Sequence, residues 1–175
     1  MPDRDAPEPG ETDATALLIA ELTAARYTIA IAESLTGGLL AAELIRIPGA
    51  SRVVNGGVVT YNTELKHTLL NVDTSILNVH GPVHPDVAKQ MAGGARTLLG
   101  IGGDRATIGV STTGVAGPVA QDGHEPGTAF IGLSMGNSSW AVAAQVPGDR
   151  AAVRAHIVRL AVDAVRELIA RQAAE

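Results

Sequence analysis

Apolar and polar positions recur along this chain with two periods, and the switches between them lay out its elements. Over 14–26, Leu17, Leu18, Leu22 and Ala25 fall on one side of a helix, and Asp13 stands ahead of the first turn as a side-chain cap. Residues 28–32 (TIAIA) form an apolar run of strand length, followed by Glu33-Ser34-Leu35-Thr36-Gly37-Gly38 and a helical run over 39–45. A strand, a glycine-bearing turn and a helix in that order is how open α/β sheets present reactive groups. Pro48-Gly49 breaks the chain before a second strand at 52–61 (RVVNGGVVTY), where Gly56-Gly57 reads as a bulge or a close backbone approach.

Asn62-Thr63 caps a short helix that runs through Leu70. The loop His80-Gly81-Pro82 leads to a helix over 85–99, with proline at its start and Gly100 after its end. Strands are predicted at 106–111 and 128–134, flanking a long loop at 114–127, and at 140–146. Asp149 caps a final helix whose Val153, Ile157, Leu160, Ala161, Ala164 and Leu168 form one apolar stripe. The expected fold class is α/β: one domain over 14–175, a layered α/β/α sandwich around a mixed central sheet. The pattern does not give the strand order. Residues 1–13 (MPDRDAPEPGETD) are acidic and proline-rich, and read as a disordered leader. They lack the basic and apolar regions of a signal peptide.

Composition narrows the chemistry. The chain has no cysteine, which removes disulfides, thiolate zinc sites and cysteine nucleophiles and fits a cytoplasmic location. Its net charge of −5, without a Lys/Arg run, argues against duplex nucleic acid as a partner. An aromatic content of 2% is too low for a single-strand stacking platform. No window reaches the ~18 uncharged apolar residues of a membrane span. A small anionic ligand remains open, since it needs only one or two local cations.

Ser34 is the informative residue. It closes a buried-looking strand, and Thr36, Gly37 and Gly38 follow within a turn. A backbone that approaches closely and a helix N-terminus both favour an anion, whether a phosphate or the oxyanion of acyl transfer. Ser34 and Thr36 read equally well as helix caps. A serine that attacks an amide needs a base. The five histidines form no metal-ligand pair at helical spacing, since Gly81-Pro82 interrupts His80 and His84. Lys66 is one of two lysines and lies early in the helix after the second strand. Burial and a helix dipole would lower its pKa, although a lone lysine is more often a solvated surface residue. Tyr61 can orient the lysine or bond a substrate, or can be a plain strand-end aromatic. Thr113-Gly114 ends another apolar strand, as ligand donors or as a turn. Arg150 and Arg154 share a helix face and can clamp an anion, or stay solvated. There is no P-loop, no complete GxGxxG and no GxSxG elbow.

Taken together these segments resemble the CinA C-terminal family. Ala32-Glu33-Ser34-Leu35-Thr36-Gly37-Gly38 is similar to its AESxTGG signature, and Ile47-Pro48-Gly49-Ala50-Ser51 to its PGSS-type turn. Gly56-Gly57-Val58-Val59-Thr60-Tyr61 with Lys66 matches its GGVVxYxxxxK block. Thr113-Gly114-Val115-Ala116-Gly117-Pro118 resembles its TGIAGP block, Gly127-Thr128-Ala129-Phe130-Ile131 its GTVYIA strand, and Gly148-Asp149-Arg150 with Arg154 its closing GDRxxxR. The blocks run in order over 14–170.

The resemblance implies a nicotinamide-nucleotide amidohydrolase that converts nicotinamide mononucleotide to nicotinic acid mononucleotide and ammonia. Ser34 would attack the carboxamide, Lys66 would take its proton, and Tyr61 and Thr113 would orient the lysine or substrate. Thr36, Gly37, Gly38 and Gly114 would line the substrate site, with amides over 34–38 holding the oxyanion, and Arg150 would meet the phosphate. It implies no cofactor and no metal, and a homodimer or higher homo-oligomer. Some members of the family are also fused to an amino-terminal molybdopterin-binding-like domain, which these 175 residues are too few to hold as well. Three departures stand out: Leu35 in place of a commoner cysteine, His84 where a serine is usual, and a loop at 119–126 without a glycine run. The alternative is a catalytically silent nucleotide-binding module linked to competence or DNA-damage response. Retention of Ser34, Tyr61 and Lys66 argues for the enzyme, because binding alone needs no nucleophile–base pair.

Overall fold

The computed structural model describes residues 13–174; the leader expected over 1–13 lies outside them, Asp13 apart. In chain order the elements are α1 (Ala14–Ala25), β1 (Ile29–Glu33), α2 (Leu39–Ile45), β2 (Val54–Val59), α3 (Thr63–Leu70), α4 (Thr74–His80), α5 (Pro85–Leu98), β3 (Ile108–Gly114), β4 (Thr128–Met135), β5 (Ser138–Gln145) and α6 (Arg150–Gln172). The strands form one sheet in the order β2-β1-β3-β4-β5. β1 runs parallel to β2 and β3, whereas β4 is antiparallel to both β3 and β5, so the sheet is mixed as expected. No helix among the described residues is long and apolar enough to cross a membrane.

Alternation along β1 explains the two faces. Ile29 and Ile31 join a core with Leu18, Leu22, Leu40, Leu44, Ile157 and Val165 of α1, α2 and α6. Ala30 and Ala32 point the other way, toward Leu70 of α3 and Val87, Met91 and Ala95 of α5. Large residues fill one interface and small ones the other, which lets α5 lie close on the sheet. The Ser111 hydroxyl donates to Ala88 O of α5 at 2.7 Å. Buried Arg96 of α5 reaches across to Ala106 O at 2.8 Å and Gly136 O at 2.8 Å.

The caps read from sequence act as read. Side chains of Asp13, Asn62 and Asp149 accept backbone N–H groups at the starts of α1, α3 and α6. Several boundaries differ, and one helix is new. Among the boundaries, the strand expected from 106 starts at Ile108, and the one expected over 140–146 runs over Ser138–Gln145. The run at 52–61 contains a strand only from Val54, because Ala50–Arg52 turn as a short 3-10 helix after Gly49. β3 extends to Gly114, since β4 supplies ladder partners for Thr112, Thr113 and Gly114. α4, capped by Asp73, is not predicted: it has only seven residues, none fully buried, and only Ile76 and Leu77 pack against the core.

α3 is set by what it touches. Of its eight residues only Lys66 and Leu70 are buried, one turn apart on the face toward α5. A Cβ at Gly94 of α5 would lie 2.1 Å from Leu70 O. A helical Gly→Ala change ordinarily stabilises by about 1 kcal/mol. Here the methyl must displace the end of α3, so Gly94→Ala is expected to destabilise by about 1–3 kcal/mol. Urea denaturation checks the sign, and an unchanged or raised midpoint would contradict this packing.

Candidate active site

β1, β2 and β3 deliver their C-terminal ends side by side, and the crevice beyond them is where open sheets bind ligands. Two hydrogen bonds fix the level at which the strands stop: Ser34 N donates to Thr112 O at 2.9 Å, and Thr60 N to Glu33 O at 2.8 Å. Ser34 is thus the first residue past β1, with Thr113 of β3 on one side and Thr60 after β2 on the other.

Lys66 rises into this crevice from α3. It is 1% exposed, in a place that the helix pattern gives to a core aliphatic residue. Its Nζ donates to Thr60 O at 2.7 Å and lies 3.1 Å from Ser34 Oγ. No carboxylate pairs with it among the described residues. An ammonium removed from water without a counter-charge is disfavoured, and burial pushes the Lys66 pKa down to about 8. When the amine is neutral, Ser34 O–H can donate to it, which is the arrangement of a nucleophile with its base.

The turn after Ser34 is held by Glu33. Gly38, the N-cap of α2, has no side chain to offer. The buried Glu33 side chain takes that role, accepting from Gly38 N at 3.0 Å, Leu40 N at 3.1 Å and Ala41 N at 2.9 Å. The start of α2 is therefore satisfied internally and is not available to an anion. Among the described residues, the N–H groups of Leu35 and Thr36 meet no acceptor, while Gly37 N bonds Ser34 O. Thr36 is fully buried, so the backbone donor left for an oxyanion narrows from the span 34–38 to Leu35, which faces the cavity.

Ser34, Leu35, Tyr61, Lys66, Thr113, Gly114 and Arg150 line one cavity of about 150 Å³, together with Val119 and Gln121. The atypical loop at 119–126 therefore does reach the site. Thr36, Gly37 and Gly38 do not line it. The Thr36 hydroxyl is spent on the Thr112 hydroxyl at 2.7 Å, Gly37 faces Arg154, and Gly38 N belongs to Glu33. Tyr61 does not orient Lys66: its hydroxyl accepts from Arg150 at 3.0 Å at the exposed mouth, and Thr60 O holds the lysine instead. Thr113 lines the cavity but donates to Pro82 O at 2.7 Å. Arg150 also donates to Gly117 O at 3.0 Å, so it closes the mouth as a latch. Arg154 does not join it there; its guanidinium binds Leu35 O at 3.0 Å and Thr36 O at 2.8 Å. Sequence reasoning missed Glu33, Thr60 and this role of Arg154. The missing side chain at Gly38 was the signal for the first.

The sequence matches the profile of the CinA C-terminal domain over residues 11–169. It is 44% identical over 143 residues to a CinA-like protein of Frankia casuarinae, covering 82% of this chain and 32% of that protein. A CinA-like protein of Gemmatimonas aurantiaca is 38% identical over 167 residues, covering 95% of this chain and 38% of its own length. The chain thus spans about a third of the length of the curated relatives it matches. Among solved structures, a competence-damaged protein (CinA) superfamily protein from Klebsiella pneumoniae superposes with a TM-score of 0.85 at 32% identity, covering 90% of this chain and 96% of that one. The competence/damage inducible protein CihA from Agrobacterium tumefaciens gives 0.80 at 30% identity, with coverage of 90% and 96%.

The depressed lysine pKa has a consequence for stability. Unfolded, Lys66 titrates near ~10.4; folded, near about 8. Between those values the unfolded chain binds more protons, so stability from this group rises with pH across the window. Relative to Lys66→Met, wild-type unfolding free energy is expected to climb between pH ~8 and ~10 by on the order of 2 kcal/mol. Denaturant titrations at several pH values test this, and parallel curves for the two proteins would contradict it.

Proposed function

The chain belongs to the CinA C-terminal domain family, and on that premise we propose that it is a nicotinamide mononucleotide deamidase working through Ser34 and Lys66. The observation that carries the reading is the buried, uncompensated Lys66 amine 3.1 Å from the Ser34 hydroxyl. A protein that only binds a nucleotide has no need to hold a lysine where its charge is disfavoured.

The chemistry follows from the two groups. Neutral Lys66 takes the proton as Ser34 Oγ bonds to the carboxamide carbon, and the former carbonyl oxygen becomes an oxyanion. The amide of Leu35 is the backbone donor available to it. The Lys66 ammonium then returns its proton to the leaving nitrogen, and ammonia departs as the acyl-serine forms. Water attacks the acyl-serine with Lys66 again as base, releasing the carboxylate and restoring Ser34. The serine–lysine pair supplies both nucleophile and base, so no step calls for a metal.

Size and charge support a position for the rest of the substrate. The cavity is smaller than the few hundred cubic ångströms usual for a whole ligand, and so suits the pyridine ring. The ribose and phosphate then extend to the mouth, where Arg150 is the cation. A phosphate there would exchange the Arg150 contacts to Tyr61 and Gly117 for stronger charge-assisted bonds.

Ammonia release from nicotinamide mononucleotide, with a chelator present, is the direct test. Wild type should release ammonia, and folded Ser34→Ala should lose about 10³-fold or more. Lys66→Met should lose a similar factor, and the double variant barely more than either single one, since the pair acts as a unit. Multiplying losses would remove Lys66 as the base. No ammonia from folded wild type, with ligand binding retained, would leave the silent binding module. Arg150→Ala should raise KM for the mononucleotide about tenfold, or ~1.4 kcal/mol, and leave nicotinamide riboside unaffected. Equal losses on both substrates would remove its phosphate role.

A further inference from the structure

Strand alternation brings Ser34 and Thr113 side by side on one face of the sheet. On β3 the Ser111 hydroxyl donates to Ala88 O of α5, whereas the Thr112 hydroxyl meets Thr36 on the other face. Thr113 returns to the face of Ser111, and its hydroxyl donates to Pro82 O, just ahead of α5, at 2.7 Å. On β1 the Glu33 side chain points to α2, and Ser34 follows toward Lys66, which comes from the α5 side. The register pairs Glu33 with Thr112, and Ser34 N bonds Thr112 O, so Ser34 and Thr113 come next in line. One strand spacing, about 4.8 Å, separates them. Both line the cavity, as does Pro82.

The bond to Pro82 sets what Thr113 can offer a ligand. A hydroxyl has one proton and two lone pairs, and a carbonyl oxygen only accepts, so the Thr113 proton is committed. Thr113 is the one donor to Pro82 O among the described residues, and redirecting the proton would leave that carbonyl unpaired. What remains at Thr113 Oγ1 is acceptor capacity alone. The cavity around Ser34 thus combines a backbone donor, the Leu35 N–H, with a side-chain oxygen that can only accept. A carboxamide carries the complementary pair on the carbon that a nucleophile attacks: an accepting oxygen and a donating NH2. A carboxylate, an ester or a ketone has no N–H to give.

We infer that Thr113, with its polarity set by Pro82 O, is the specificity residue that selects a carboxamide over the acid, ester or ketone of the same nucleotide. It accepts from the substrate NH2 while Leu35 N–H donates to the carbonyl oxygen. The carboxylate product brings an oxygen where the nitrogen stood, meets an acceptor with no proton to share, and is released. A ligand without the N–H leaves the buried Thr113 acceptor unpaired, which is how a site rejects a close isostere. The inference rests on the reading of the Ser34 site as an amidohydrolase.

The experiment measures binding by calorimetry to full chains carrying Ser34→Ala, so that no ligand is consumed, with ammonia release by wild type run beside it. The ligands are nicotinamide mononucleotide and 3-acetylpyridine mononucleotide, in which a methyl replaces the NH2. Both carry the same charge, so Lys66 and Arg150 contribute alike and cancel in the ratio of affinities. Ser34→Ala should bind the amide about 10–100-fold more tightly than the ketone. Adding Thr113→Val should bring the two ligands within about threefold of each other, and Thr113→Ser, which keeps the hydroxyl, should restore the preference. A packing defect alone would weaken both ligands and leave their ratio as it was. If Thr113→Val does not fold, Thr113→Ala, which also lacks the oxygen, takes its place. Equal binding of the two ligands by Ser34→Ala overturns the inference, as does a preference that survives removal of the Thr113 oxygen. Wild type that releases no ammonia, beside a preference that depends on Thr113, overturns the deamidase reading and supports the role of Thr113. Ammonia release without any preference does the reverse. Neither ammonia nor binding of either ligand overturns both.

Discussion

A single amine buried without a counter-charge sets the terms for the rest of this structure. Lys66 occupies a place that helix periodicity assigns to a core aliphatic residue, and among the described residues its hydrogen-bond partners are Thr60 O and Ser34 Oγ. Holding it there requires α3 to lie hard against α5, and Gly94 makes that approach by leaving room for Leu70 O. It also requires β1 and β2 to end level, which the Thr60 N bond to Glu33 O secures. The cost of desolvation appears as a lowered pKa, and the same shift makes the amine usable as a base near neutral pH.

The opposite face of the sheet supplies the complementary part. Arg154 of α6 and Glu33 of β1 grip the turn after Ser34 from its carbonyl and amide sides. The nucleophile therefore stands at the junction of both layers, with its base from one and its turn anchored by the other. The mixed sheet makes this possible. Parallel β1, β2 and β3 bring their C-terminal ends together, and the antiparallel β4 and β5 extend the platform on which α5 and α6 pack.

Much of this was legible in the sequence, and for local reasons. The strand–turn–helix around Ser34, the caps Asp13, Asn62 and Asp149, and the stripe of α6 all depend on neighbours within a few residues. Ser34, Tyr61, Lys66, Thr113, Gly114 and Arg150 do converge on one cavity. What sequence did not give depends on distant partners. Whether Lys66 is buried is decided by α5. The hold on Lys66 passes from the expected Tyr61 hydroxyl to the backbone carbonyl of Thr60, which no residue identity reveals. Arg154 looks like a second anion clamp until α6 is docked against the turn at Leu35 and Thr36. The short α4 packs through only Ile76 and Leu77, too few positions to set a period.

Burial of Lys66 lowers its pKa well below that of an ordinary lysine, and the chain is well suited to a direct look. Lys66 and Lys89 are its only lysines, so a protein labelled with carbon-13 at lysine Cε gives two resonances to follow by NMR as pH is raised. One of them, absent from Lys66→Met, is expected to titrate with a midpoint of about 8. A Lys66 resonance that titrates near ~10.4, as a solvated lysine does, would contradict it.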